Sequence, residues 1–180
     1  MKNYFSKIYH FLIFLVLFES SIITRSSNAF IPRINEPNQK ELESTSIQLG
    51  KTAIQLIRFG QNNEAIKLLK LAVKLNPKEI ELWTSLAEAQ VRASREYQAL
   101  SSLDKALKLK PKEESIYFRK AYIYMDLKNP EKAKFNIKKG LSINTKNERG
   151  YFQLGNAEIM LNNYKSALIA FKISSRINSN

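Results

Sequence analysis

No cysteine occurs among the 180 residues, and glycine and proline are scarce at five each. Those shortages exclude disulfide-stapled, collagen-like and linker-dominated architectures, and with them thiol catalysis and Cys-ligated zinc. A chain without thiols is indifferent to glutathione, so the same absence assigns no redox compartment. Histidine is rarer still. Its single copy, His10, lies close to the N-terminus, so the rest of the chain has no imidazole to act as general base, proton shuttle or metal ligand. The acids do not compensate. Asp104 and Asp126 are isolated, Glu113 and Glu114 sit side by side, and Glu88 has Arg92 four residues on as an ordinary helical ion partner. No catalytic residue, cofactor or metal site is expected, which argues against an enzyme.

What remains is a chain with 44% hydrophobic and 25% charged residues, enough to bury a core in one domain or a short repeat array. Its formal charge is +13. Met1 to Ala29 holds three bases (Lys2, Lys7, Arg25) and one acid (Glu19), so the remainder still carries +11. Such a charge attracts acidic partners, anionic lipid or nucleic acid without choosing among them.

The start, MKNYFSKIYHFLIFLVLFESSIITRSSNAF, has Lys2 and Lys7, an apolar run from Phe11 to Phe18, and small residues at Ser27 and Ala29. It resembles a secretory signal peptide cut after Ala29. The apolar run is far shorter than the roughly 20 residues of a spanning helix. Arg25, close before the cut, is awkward for processing and leaves an uncleaved membrane anchor over residues 1–29 as the alternative. Residues 30–45, with Pro32, Pro37 and no apolar period, read as a linker. The expected location is therefore exported across a membrane, as into a periplasm, or anchored to one.

From Ser46 onward the sequence repeats itself every 34 residues. Ala65, Ala99, Ala133 and Ala167 align, as do Leu49, Trp83, Tyr117 and Tyr151. A third column holds Ala53, Ala87, Ala121 and Gly155, and a fourth Leu69, Leu103, Ile137 and Phe171. Four units follow: 46–79, 80–113, 114–147 and 148–180. Apolar residues recur at three- and four-residue steps within each, which predicts helix, and breaks such as RFGQNN (Arg58 to Asn63) and LKNPEK (Leu127 to Lys132) divide the units into hairpins. Asn129 and Asn163 are predicted to cap the helices that follow them, with Pro130 at the first helical position. Pro77 and Pro111 disfavour helix at Asn76 and Lys110 and end the second helices there.

A 34-residue helix-turn-helix with Trp83, Leu86, Ala87, Ala99, Leu103, Ala106 and Pro111 in this order resembles the tetratricopeptide repeat. The third unit departs from that pattern at Gly140 and Thr145, and the fourth at Ser174 and Ser179. The resemblance implies an all-α, right-handed superhelical solenoid of four repeats that binds a protein or peptide segment in its concave groove. An apolar start, a short linker and three or four repeats also resemble proteins of this family that act in thylakoid and photosystem assembly in cyanobacteria and plastids. Gly50-Lys51-Thr52 looks like the tail of a phosphate-binding loop, but Thr45 replaces the required earlier glycine and no strand precedes it.

The resemblance places Glu88, Arg92, Phe118, Tyr122, Met125, Phe152, Asn156 and Met160 on the concave wall as candidate partner-binding residues. For Phe118 and Phe152, packing against a neighbouring helix is an equal reading. Lysines cluster instead on the second helices, which such stacking makes the outer wall. Nucleic acid is not expected there, because the aromatics that would stack bases lie on the other helices. An anionic membrane surface is the alternative partner, and the chain would then act as a membrane-surface scaffold through its basic convex face. Leu168, Ile169, Phe171, Ile173 and Ile177 form an apolar last face that a homodimer or partner would cover.

Overall fold

The computed structural model describes residues 38–178. They form eight helices in four hairpins: α1 (Gln39–Arg58) with α2 (Asn62–Leu75), α3 (Ile80–Arg92) with α4 (Glu96–Leu109), α5 (Glu114–Asp126) with α6 (Pro130–Ile143), and α7 (Glu148–Met160) with α8 (Tyr164–Asn178). The expected linker to residue 45 is corrected, because α1 already begins at Gln39. The Asn38 side chain accepts from the Glu41 N–H at 2.9 Å, and the Glu41 carboxylate accepts from the Asn38 N–H at 3.2 Å. This capping box satisfies two end donors and starts the helix early. The leader, the cut at Ala29 and residues 30–37 lie outside the described residues. No helix among the described residues is long and apolar enough to cross a membrane.

Every hairpin turns through the same device. Gly60, Ser94, Lys128 and Asn162 stand 34 residues apart, and all have positive φ (74°, 55°, 55° and 58°). The residue after each donates back to the last turn of the first helix: Gln61 to the Leu56 carbonyl, Arg95 to Gln90, Asn129 to Tyr124 and Asn163 to Glu158, at 2.8–2.9 Å. These are Schellman turns, in which a left-handed residue lets two end carbonyls find donors. Asn129 then caps α6 by accepting from the Lys132 N–H at 3.1 Å. Asn163, expected to do the same for α8, turns its amide to the Glu158 carboxylate at 2.9 Å.

The aromatic column also has a physical cause. The Trp83 indole N–H donates to the Pro77 carbonyl at 2.8 Å, and the Tyr117 hydroxyl donates to the Pro111 carbonyl at 3.1 Å. Each ring thus fills the space between hairpins while its polar tip holds the preceding turn. The third junction has Thr145 where proline stood. There Asn144 accepts from the Lys146 N–H at 3.2 Å, and Asn147 caps α7 through the Gly150 N–H at 2.8 Å.

Ala65, Ala99 and Ala133, with Leu69, Leu103 and Ile137, are fully buried. Small residues at the crossings let paired helices approach while the larger ones fill the gap beside them. Gly50, the centre of the phosphate-loop look-alike, serves the same end: a Cβ there would fall 2.6 Å from Leu82 Cδ2, so glycine permits α1 to meet α3. First helices pack on first helices, α1 on α3 and α5 on α7, whereas no two second helices pack closely. The first helices therefore form the inner wall and the second helices the outer one, as expected. On α8, Leu168 and Ile169 are exposed while Phe171, Ile173 and Ile177 are partly buried.

Candidate functional site: a cleft on the inner wall

The stack is not uniform. The α4–α5 seam between repeats two and three is less extensively packed than the α2–α3 and α6–α7 seams. A cleft of about 570 Å³ opens at this point, lined by α3 (Ala87, Glu88, Val91, Arg92), Leu103 of α4, α5 (Ser115, Phe118, Arg119, Tyr122, Ile123), Asn147, and α7 (Arg149, Gln153). Three successive first helices thus supply nearly all of it, which puts its mouth on the inner wall.

Its floor and walls differ in character. Leu103 and Ile123 are buried core residues, so the base is apolar. Tyr122 stands 52% exposed at the mouth. The charged groups form a short chain: Arg92 lies 3.2 Å and Arg119 3.7 Å from the Glu88 carboxylate, so one acid is shared between two guanidinium groups. Arg149 makes no ion pair among the described residues. Three arginines against one carboxylate leave the cleft positive. The Gln153 Oε1 is buried there without a hydrogen-bond partner, a position where a donor from a bound segment would relieve the cost of an unmade bond. Among the described residues no cluster of His, Asp and Glu is gathered that could hold a metal.

Four of the eight candidate residues, Glu88, Arg92, Phe118 and Tyr122, come together in this cleft. Phe118 contributes little more than an edge. It is 8% exposed, and its ring occupies the space in front of two glycines, with a Cβ on Gly140 or Gly150 falling 2.7 Å from it. Of its two readings, packing is the one its burial favours. Met125 packs against the core of the third and fourth repeats. Phe152 is 54% exposed and packs tilted at 56° against Phe171 with centroids 5.6 Å apart. Asn156 is partly buried and Met160 exposed on α7, both outside the cleft. The sequence reading missed Arg119 and Gln153 as lining residues. They occupy the same repeat position, 34 apart, one residue beyond Phe118 and Phe152, so aligning the repeats on the seam rather than on the groove face finds them.

Residues 114–147 match the family model described as tetratricopeptide repeat. No curated protein matches the sequence. Among solved structures, a crystal structure of MamA superimposes with a TM-score of 0.70 at 21% identity, over 78% of this chain and 86% of that one. MamA 41-end from Desulfovibrio magneticus RS-1 gives 0.68 at 18% identity, over 75% and 76%. The first TPR domain of human RPAP3 gives 0.63 at 20%, over 68% and 97%. Likeness at these identities is a likeness of fold. One repeat is matched in sequence and the same 34-residue hairpin recurs four times, so the described residues have the fold of a tetratricopeptide-repeat array.

Proposed function

We propose that the protein is a non-enzymatic interaction module that holds a segment of a partner polypeptide in its concave groove, with the cleft between the second and third repeats as the anchoring point. The observation that carries this reading is the cleft itself, an apolar base under an exposed tyrosine and an arginine excess on the inner wall. An incoming segment that brings one apolar side chain to Tyr122 and one acidic group to Arg149 would bury the first and pair the second. A donor at Gln153 would complete the contact. Aromatic and arginine anchors in a partly desolvated pocket are where binding energy concentrates. The role is capture rather than catalysis.

The finer reading is an exported or membrane-anchored adaptor or assembly factor, supported by the basic, apolar and small-residue order of Met1 to Ala29. Affinity capture from the membrane fraction of the source cell, followed by mass spectrometry of the captured chain and its partner, tests both levels. Tyr122→Ala and Arg149→Glu should each release the partner, by about thirtyfold for an anchor worth about 2 kcal/mol. Retention of the partner by both variants overturns the groove reading. A mature N-terminus at Phe30 supports cleavage, and one at Met1 supports the anchor.

A further inference from the structure

Charge is divided unequally between the two walls. The four second helices carry twelve Lys and Arg against four acids, whereas the four first helices carry seven against eight. The basic excess of the folded array therefore lies on the outer wall. One of its four acids, Asp104, is already tied to Lys120 of α5 at 2.6 Å.

The outer wall is also not equally polar along its length. At one exposed position the repeats read Lys67, Ser101, Phe135 and Ile169, and three residues on they read Lys70, Asp104, Lys138 and Lys172. Only the last two repeats thus place a large apolar side chain beside a lysine. Phe135 is 62% and Ile169 60% exposed. Around them Lys138, Lys139, Lys165 and Lys172 are exposed and make no ion pair among the described residues, and the Lys139 ammonium sits 5.7 Å from the Phe135 ring centroid. Glu131 is the single acid on α6, and α8 has none.

We infer that the outer face of α6 and α8 docks on an anionic lipid surface, with Phe135 and Ile169 entering the headgroup boundary and the flanking lysines meeting lipid phosphates. Apolar side chains ringed by lysines are what such an interface rewards. Burial of the apolar group and attraction of each nearby base act together, and lysine stems extend along the apolar zone while their ammonium groups stay wet. A solvated basic face would gain nothing from Phe135 and Ile169. Nucleic acid would need a run of stacking platforms, and among the described residues these two helices expose two separate rings, Phe135 and Tyr164. The inference is independent of the groove reading, since the two surfaces lie on opposite walls and both can be occupied together.

The chain has no cysteine, so a single label reports one place. Ile169→Cys in the full chain, carrying an environment-sensitive nitrobenzoxadiazole label, should shift to the blue with phosphatidylglycerol-containing vesicles and not with phosphatidylcholine alone. The same label at Tyr122→Cys on the inner wall should not shift. Lys138→Gln with Lys172→Gln should weaken vesicle binding, read from the lipid-dependent shift, about thirtyfold, at about fivefold for each lysine. Both changes lie at exposed positions, and an unchanged far-ultraviolet spectrum confirms the fold. The apolar run from Phe11 to Phe18 is present in every arm, so the contrast between labels at 169 and 122 reads the outer face itself. An unmoved label at 169, an equal shift on neutral vesicles, indifference to the lysine changes, a shift with oligonucleotide alone, or a shift with protein concentration alone each overturns the inference.

Discussion

Alanine at Phe118 and at Gly140, singly and together, tests whether the aromatic of the third repeat is packing or contact surface. A methyl on Gly140 would stand 2.7 Å from Phe118 Cε1 and 2.8 Å from its Cζ, well inside the 3.5–4.0 Å at which carbon atoms attract. Gly140→Ala alone gains about 1 kcal/mol of helix propensity and loses about 1–3 kcal/mol to overpacking, so a net loss of about 1 kcal/mol is expected. Phe118→Ala alone should cost about 3–5 kcal/mol, because the ring is buried and neighbours relax only partly into its place. In that background the Gly140 methyl enters vacated space. The propensity gain is then kept and a buried methyl adds about 0.8 kcal/mol, so the same substitution becomes stabilising by about 1–2 kcal/mol. The assay is urea unfolding followed by circular dichroism at the helix band, for all four combinations. A coupling of about 2–3 kcal/mol with a change of sign is the expected result. Equal effects of Gly140→Ala with and without the ring would mean that Phe118 does not fill the space in front of Gly140.

Two further changes probe the joints between elements. Glu158 is a buried carboxylate whose burial pushes its pKa up, an effect outweighed by hydrogen bonds from Lys134 at 2.7 Å and Asn163 at 2.9 Å, which hold it below the ordinary value of 4.5. A depressed pKa stabilises the fold above the unfolded value. The wild type should therefore exceed Glu158→Gln by about 1–3 kcal/mol at neutral pH, and the margin should shrink below pH 4.5 and vanish once the folded pKa is passed; a margin independent of pH in urea titrations contradicts this. Lys128→Gly should raise the urea midpoint, by about 0.5 kcal/mol in stability, because the left-handed conformation costs lysine about 1–2 kcal/mol and glycine's added freedom when unfolded offsets only part of the gain. A lowered midpoint contradicts that.

The repeat period, the eight helices and the division into inner and outer walls were legible because each is written several times over. Four alanines in one column, and four large apolar residues beside them, can only mean one crossing made four times. Features written once, or in changing letters, were not legible. Gly60, Ser94, Lys128 and Asn162 share a backbone conformation and no chemistry, so the turn column is invisible without coordinates. Asn163 had two acceptable uses, and a glutamate five residues earlier decided between them. The start of α1 was hidden because a capping box at Asn38 and Glu41 lies in a stretch with no apolar period. Most important for function, a cleft depends on how far neighbouring hairpins separate. Helical phase placed Phe118 and Tyr122 on one wall, but only the looser α4–α5 seam decided that Tyr122 stands open while Phe118 is closed under two glycines, and that Arg119, Arg149 and Gln153 join it.

The surface proposed to grip a partner is the inner wall at the second-to-third repeat cleft. A photo-crosslinking side chain placed at Tyr122 and, in a separate chain, at Tyr97, which is exposed on the outer wall, tests this directly in whole cells. A discrete polypeptide adduct is expected from position 122, abolished by Arg149→Glu, and none from position 97. Adducts from position 97 with none from position 122 would contradict it.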